Sequence, residues 1–97
     1  MKQSQIKAAI DAVERQLAPD VVHIRYEIGQ DWSGQWAIFF KVLLSDEASI
    51  DGKLREIAPK VVWMVSERLD LPGLGLFPHF DFRSQSEQTE LNEAAWA

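Results

Sequence analysis

Two strand patterns with a turn between them follow one another in residues 21–44, which read VVHIRYEIGQDWSGQWAIFFKVLL. Apolar and polar side chains alternate over residues 21–28, as they do in a strand with one wet face. Residues 36–44 form a second, more apolar strand pattern. Residues 29–35 carry two glycines, an aspartate and a serine, which favour the loop of an antiparallel hairpin. The hairpin is the centre of the predicted fold.

The alternation also predicts which face of the hairpin is buried. Val22 and Trp36 begin the two sets of side chains that are expected to face the core. The opposite face then carries Phe39 and Lys41 of the second strand, together with the polar residues of the first. Because half of this second face is apolar, it is a candidate contact surface.

Two amphipathic helices and a third strand flank the hairpin. Apolar residues recur at helical spacing over residues 4–17 and again over residues 50–69. Pro59 lies in the middle of the second stripe, so we expect a kink or a second helix start there. Residues 79–83 alternate again and predict a short third strand. The predicted fold is α+β in the order α-β-β-α-β, a three-stranded sheet with two helices packed on one face.

The end of the chain differs in composition from the rest. Residues 1–83 form one predicted domain, and residues 84–97 are a polar, acidic tail that contains Leu91 and Trp96. A short helix is expected after Thr89. Two interpretations of the tail stay open: it orders when its apolar side chains meet a partner, or Trp96 packs on the protein's own sheet.

Composition and charge limit the classes of function. The 97 residues contain ten Lys and Arg against fifteen Asp and Glu, a net charge of −5, which disfavours nucleic acid as a partner. There is no cysteine, which excludes disulfides, thiol catalysis and Cys-type zinc sites. The densest apolar run is far shorter than the ~20 residues that span a bilayer. We therefore expect a cytoplasmic protein with no membrane contact and no cofactor.

The outward side chains of the third strand form the most suggestive polar cluster, namely His79, Asp81 and Arg83. The third strand can lie parallel beside the second strand or antiparallel beside the first. Near the first strand the cluster would join further polar groups, and together these could bind a divalent metal or carry out acid–base chemistry. A solvated surface with ion pairs is the alternative interpretation. No catalytic residue and no metal ligand are assigned.

Trp32 lies at the predicted tip of the hairpin. An exposed indole at a loop tip indicates recognition. The alternative is that Trp32 folds back over the sheet and covers the core, as large aromatic side chains often do.

Three segments carry a resemblance to a known group of proteins: residues 31–34 (DWSG), 44–48 (LSDEA) and 82–87 (FRSQSE). The chain resembles a family of short uncharacterised bacterial proteins that accompany mobile gene modules, including toxin–antitoxin pairs. The resemblance implies a protein-binding role as an antitoxin or accessory protein. It brings no catalytic residues.

The sequence therefore predicts a small non-catalytic interaction module that binds a protein partner or itself, with a homodimer expected because a three-stranded sheet leaves its edges unpaired. An RNA-binding or metal-dependent site on the exposed sheet face is the alternative. The candidate interaction residues are Trp32, Phe39, Lys41, His79, Asp81, Arg83, Leu91 and Trp96.

Overall fold

The computed structural model describes residues 3–96 of the chain. Its elements are α1 (Gln3–Leu17), β1 (Val21–Gln30), β2 (Trp36–Leu44), α2 (Asp51–Arg68), β3 (Phe77–Ser84) and α3 (Gln85–Leu91), with 3-10 turns at Glu47–Ser49 and Ala94–Trp96. The predicted α+β class is confirmed. None of the helices within residues 3–96 is long and apolar enough to cross a membrane.

The three strands form one sheet in the order β1-β2-β3. β2 pairs with β1 in the antiparallel sense, as the hairpin pattern predicts. It pairs with β3 in the parallel sense, so the third strand lies beside the second and not beside the first. A parallel pair needs a long crossover connection, and α2 supplies it.

Both long helices pack on one face of this sheet. Their apolar stripes and the inward side chains of β2 belong to a single core, in which Phe40 is fully buried. The buried helix residues are Ile6, Ala9, Ile10, Val13 and Leu17 of α1 and Ile57, Val61 and Val65 of α2. The stripes found in the sequence therefore correspond to the contacts that hold the two layers together.

The proline in α2 does not divide the helix. The element runs without interruption from Asp51 to Arg68 with Pro59 inside it, so the predicted second helix start is absent from α2. A proline removes one backbone hydrogen bond. The apolar stripe continues on both sides of it, through Ile57 and Val61, and burial of this stripe offsets the loss.

Two predicted core positions are wrong. The pairing of β1 with β2 shifts between Val21 and His23, and this bulge turns Val21 inward, with 2% exposed, and leaves Val22 39% exposed. Trp36 is 55% exposed because it pairs with Gln30 at the mouth of the hairpin and lies outside the core cluster.

Candidate functional site

The sheet face opposite the helices carries the predicted interaction residues of β2 and β3. Phe39 lies between Glu27 of β1 and His79 of β3, and the next row places Lys41 beside Asp81. Phe39, Lys41 and His79 are half-buried, whereas Asp81 is exposed. The face is therefore mixed: the row of Phe39 combines two rings with a carboxylate, and the row of Lys41 is charged.

The central position of β2 separates the polar groups of the two outer strands. His23 and His79 lie on strands that are two spacings, roughly 10 Å, apart, and in different rows of the sheet. The Nδ1 atom of His23 is instead 2.8 Å from the carboxylate of Glu14. Within residues 3–96 no group of three His, Cys, Asp or Glu side chains could hold a metal ion. The joint cluster of first-strand and third-strand groups is therefore not assembled.

The C-terminal segment packs over one part of this second face. Trp96 is only 6% exposed, and the guanidinium group of Arg83 lies 4.4 Å from the centroid of its indole ring. Arg83 also contacts Glu93 Oε1 at 2.8 Å and donates a hydrogen bond of 3.0 Å to Gln88 Oε1. Of the two interpretations of the tail, the structure has the one in which Trp96 packs on the protein's own sheet. Arg83 and Trp96 hold this segment, while Leu91 remains 56% exposed.

The helix in this segment begins earlier than predicted, at Gln85. The Ser84 hydroxyl accepts a hydrogen bond from the Glu87 N–H, and the Glu87 side chain accepts one from the Ser84 N–H, so the two residues form a capping box. The Asp46 carboxylate contacts the first turn of this helix: it accepts hydrogen bonds from the Ser86 N–H at 2.9 Å and from the Ser86 hydroxyl at 2.5 Å. These hydrogen bonds hold the pKa of Asp46 below its usual value.

A fixed loop presents Trp32 at the tip of the hairpin. Asp31 Oδ1 accepts hydrogen bonds from the Ser33 hydroxyl at 2.6 Å, the Ser33 N–H at 2.9 Å and the Gln35 N–H at 3.1 Å. The hydrogen bond from the Ser33 hydroxyl is the main cause that lowers the pKa of Asp31, against the opposing effect of burial. Gly34 has a positive φ of 85°, which a glycine adopts at no steric cost. Trp32 is 95% exposed, so the prediction that it folds back over the sheet is wrong.

Three further aromatic rings lie at the same end of the sheet, on the face opposite the helices. His79 stacks on Phe39 with a centroid distance of 5.0 Å and packs against Phe77 at 5.4 Å. Its Nε2 atom is 3.8 Å from Asp31 Oδ2, which joins this group to the hairpin loop. Phe77 is 52% exposed. We call the four side chains Trp32, Phe39, Phe77 and His79 the aromatic end.

Phe77 was not among the residues that the sequence singled out. The predicted third strand began at His79, whereas β3 begins two residues earlier. Extending the alternation back by one period would have placed Phe77 on the same face as His79.

Comparisons of the chain with protein-family models, with curated proteins and with solved structures give no match. The resemblance to proteins of mobile gene modules therefore stays a prediction. The function has to be inferred from the geometry of the molecule itself.

Proposed function

We propose that this protein is a small non-catalytic interaction module that binds a protein partner through its aromatic end. The observation that carries the proposal is the 95% exposure of Trp32 on a loop whose shape Asp31 fixes. Exposing an indole to water is unfavourable, and aromatic side chains contribute most of the binding energy in many protein interfaces. A fixed loop also lowers the entropy that is lost when the indole is buried by a partner.

The surroundings of the titratable groups support binding over catalysis. The imidazole of His79 lies between the rings of Phe39 and Phe77, and Asp31 lies beyond hydrogen-bond distance from it. The Ser33 hydroxyl donates to Asp31, so its contact is with a loop carboxylate and not with a general base of the histidine type.

The same proposal includes a role in the cell. An antitoxin or accessory protein of a mobile gene module, working in the cytoplasm, fits the resemblance and the absence of cysteine. Self-association stays a prediction, and the edge of β1 is a poor route to it. Glu14 Oε1 accepts the Ile24 N–H of that strand at 3.0 Å, which occupies a backbone donor that edge pairing would use.

The test is co-purification of tagged protein from the native host, using the wild type, Trp32→Ala and Trp63→Ala. Trp63 is a matched control because it is 63% exposed and lies on α2, away from the hairpin. We expect a defined partner protein with the wild type and the control, and its loss with Trp32→Ala. Retention of the same partner by Trp32→Ala would contradict the proposal, and so would a Trp32-dependent RNA in place of a protein.

A further inference from the structure

We infer that the aromatic end recognises a cationic segment of its partner protein and places a lysine or arginine side chain on the Trp32 indole. This inference rests on the proposed function and specifies the chemistry of the partner. Two observations support it: the charges near the exposed rings, and a contact between a guanidinium group and an indole elsewhere in the chain.

The segments that build the aromatic end contain no basic side chain except the imidazole of His79. Residues 26–40 and 69–80 include three carboxylates, Glu27, Asp31 and Asp70, and neither Lys nor Arg. Glu27 is exposed and lies in the same row of the sheet as Phe39 and His79. A cation that approaches Phe39 and His79 therefore meets the exposed Glu27 carboxylate, whereas this charge would repel the phosphate groups of a nucleic acid.

The basic residues of the second face lie further along the strands. Arg25 and Lys41 occupy the next row, beside Asp81. Arg83 lies in the row beyond and contacts Glu93 and Trp96. These basic side chains therefore lie in other rows of the sheet than the aromatic end, where a partner's cation would contact Trp32.

The contact of Arg83 with Trp96 provides the internal precedent. In that contact a guanidinium group lies 4.4 Å from the centroid of an indole and 2.8 Å from a carboxylate. At the aromatic end an indole, that of Trp32, and a carboxylate, that of Glu27, face solvent. An indole is the aromatic ring that attracts a cation most strongly, and arginine can also stack on it. A lysine or arginine side chain of a partner would supply the cation.

The experiment measures fluorescence polarisation of a fluorescein-labelled peptide of alternating arginine and serine, with the full chain at low ionic strength. We expect Trp32→Ala to weaken binding by about five-fold, the loss of one partly desolvated cation–π contact. Trp63→Ala should bind as the wild type. The variant has the same net charge as the wild type, and the indole that it loses is exposed on α2 and not at the aromatic end. The variant Trp32→Phe should bind between the two.

Equal binding by Trp32→Ala and the wild type would overturn the inference, since a general attraction to an acidic chain would then explain the signal. Trp32-dependent binding of a matched glutamate peptide or of a labelled oligouridylate, in preference to the arginine peptide, would overturn it as well. If the native partner still depends on Trp32 while the arginine peptide does not, the inference fails and the proposed function stands. If neither depends on Trp32, both fail.

Discussion

Replacement of Trp96 by alanine tests whether the C-terminal segment is part of the folded domain. A tryptophan buries roughly 150–250 Å² of side-chain surface, and about 150 Å² lost at about 25 cal/mol per Å² corresponds to about 4 kcal/mol. The contact with the Arg83 guanidinium adds about 0.5–1 kcal/mol. Area-based values are upper bounds, and a turn at the chain end can relax. We therefore expect Trp96→Ala to lower the free energy of unfolding by about 2–4 kcal/mol.

Urea unfolding followed by far-ultraviolet circular dichroism measures this change, with Trp63→Ala as the control. Because Trp63 is 63% exposed, the control should lie within about 0.5 kcal/mol of the wild type. A loss for Trp96→Ala that is no larger than that of the control would refute the reasoning, and residues 85–96 would then not be anchored through their buried indole.

Three further substitutions test single contacts. Ser84→Ala removes the capping box of α3 and should cost about 1 kcal/mol in urea unfolding; no loss would mean that the box does not stabilise the helix. Asp46 has a pKa below its usual 3.8 because Ser86 hydrogen-bonds to its carboxylate, so its stabilisation is present above that pH and is lost as the pH falls through the lower folded-state pKa. Asp46→Asn should therefore show a shallower loss of stability on acidification, and an unchanged acid profile would contradict this. Glu14→Ala should accelerate amide hydrogen exchange at Ile24, and equal protection in both proteins would show that Glu14 does not cover the edge of β1.

The parts of the fold that follow from local periodicity could be predicted. Both long helices and the hairpin are set by the spacing of apolar residues, and in α2 this spacing continues past Pro59, which lies inside the unbroken helix. The position of β3 could not be predicted, because the sequence allowed pairing with either neighbour. The contact of His79 with Phe39 depends on that choice and was therefore out of reach.

The second source of error was the solvent exposure of residues at the ends of the strands. Val22 faces solvent because a bulge adds one residue to β1, and alternation alone has no signal for a bulge. The start of α3 was predicted after Thr89 but could have been placed at Gln85, because the Ser84 and Glu87 pair has the spacing of a capping box. Two tryptophans outside the main helices and strands, Trp32 and Trp96, differ in exposure, at 95% and 6%. One is presented by a loop and the other is held under Arg83.

Photo-crosslinking in living cells tests the role of the aromatic end most directly. A benzoylphenylalanine at position 32, introduced in the native host, is compared with the same residue at position 63, which is also exposed. The proposal predicts a discrete crosslinked protein at position 32 that is absent at position 63, with the crosslinked peptide of the partner rich in Lys or Arg. The absence of a crosslinked protein at position 32, or the same products at both positions, would contradict the assignment of the aromatic end as the binding surface.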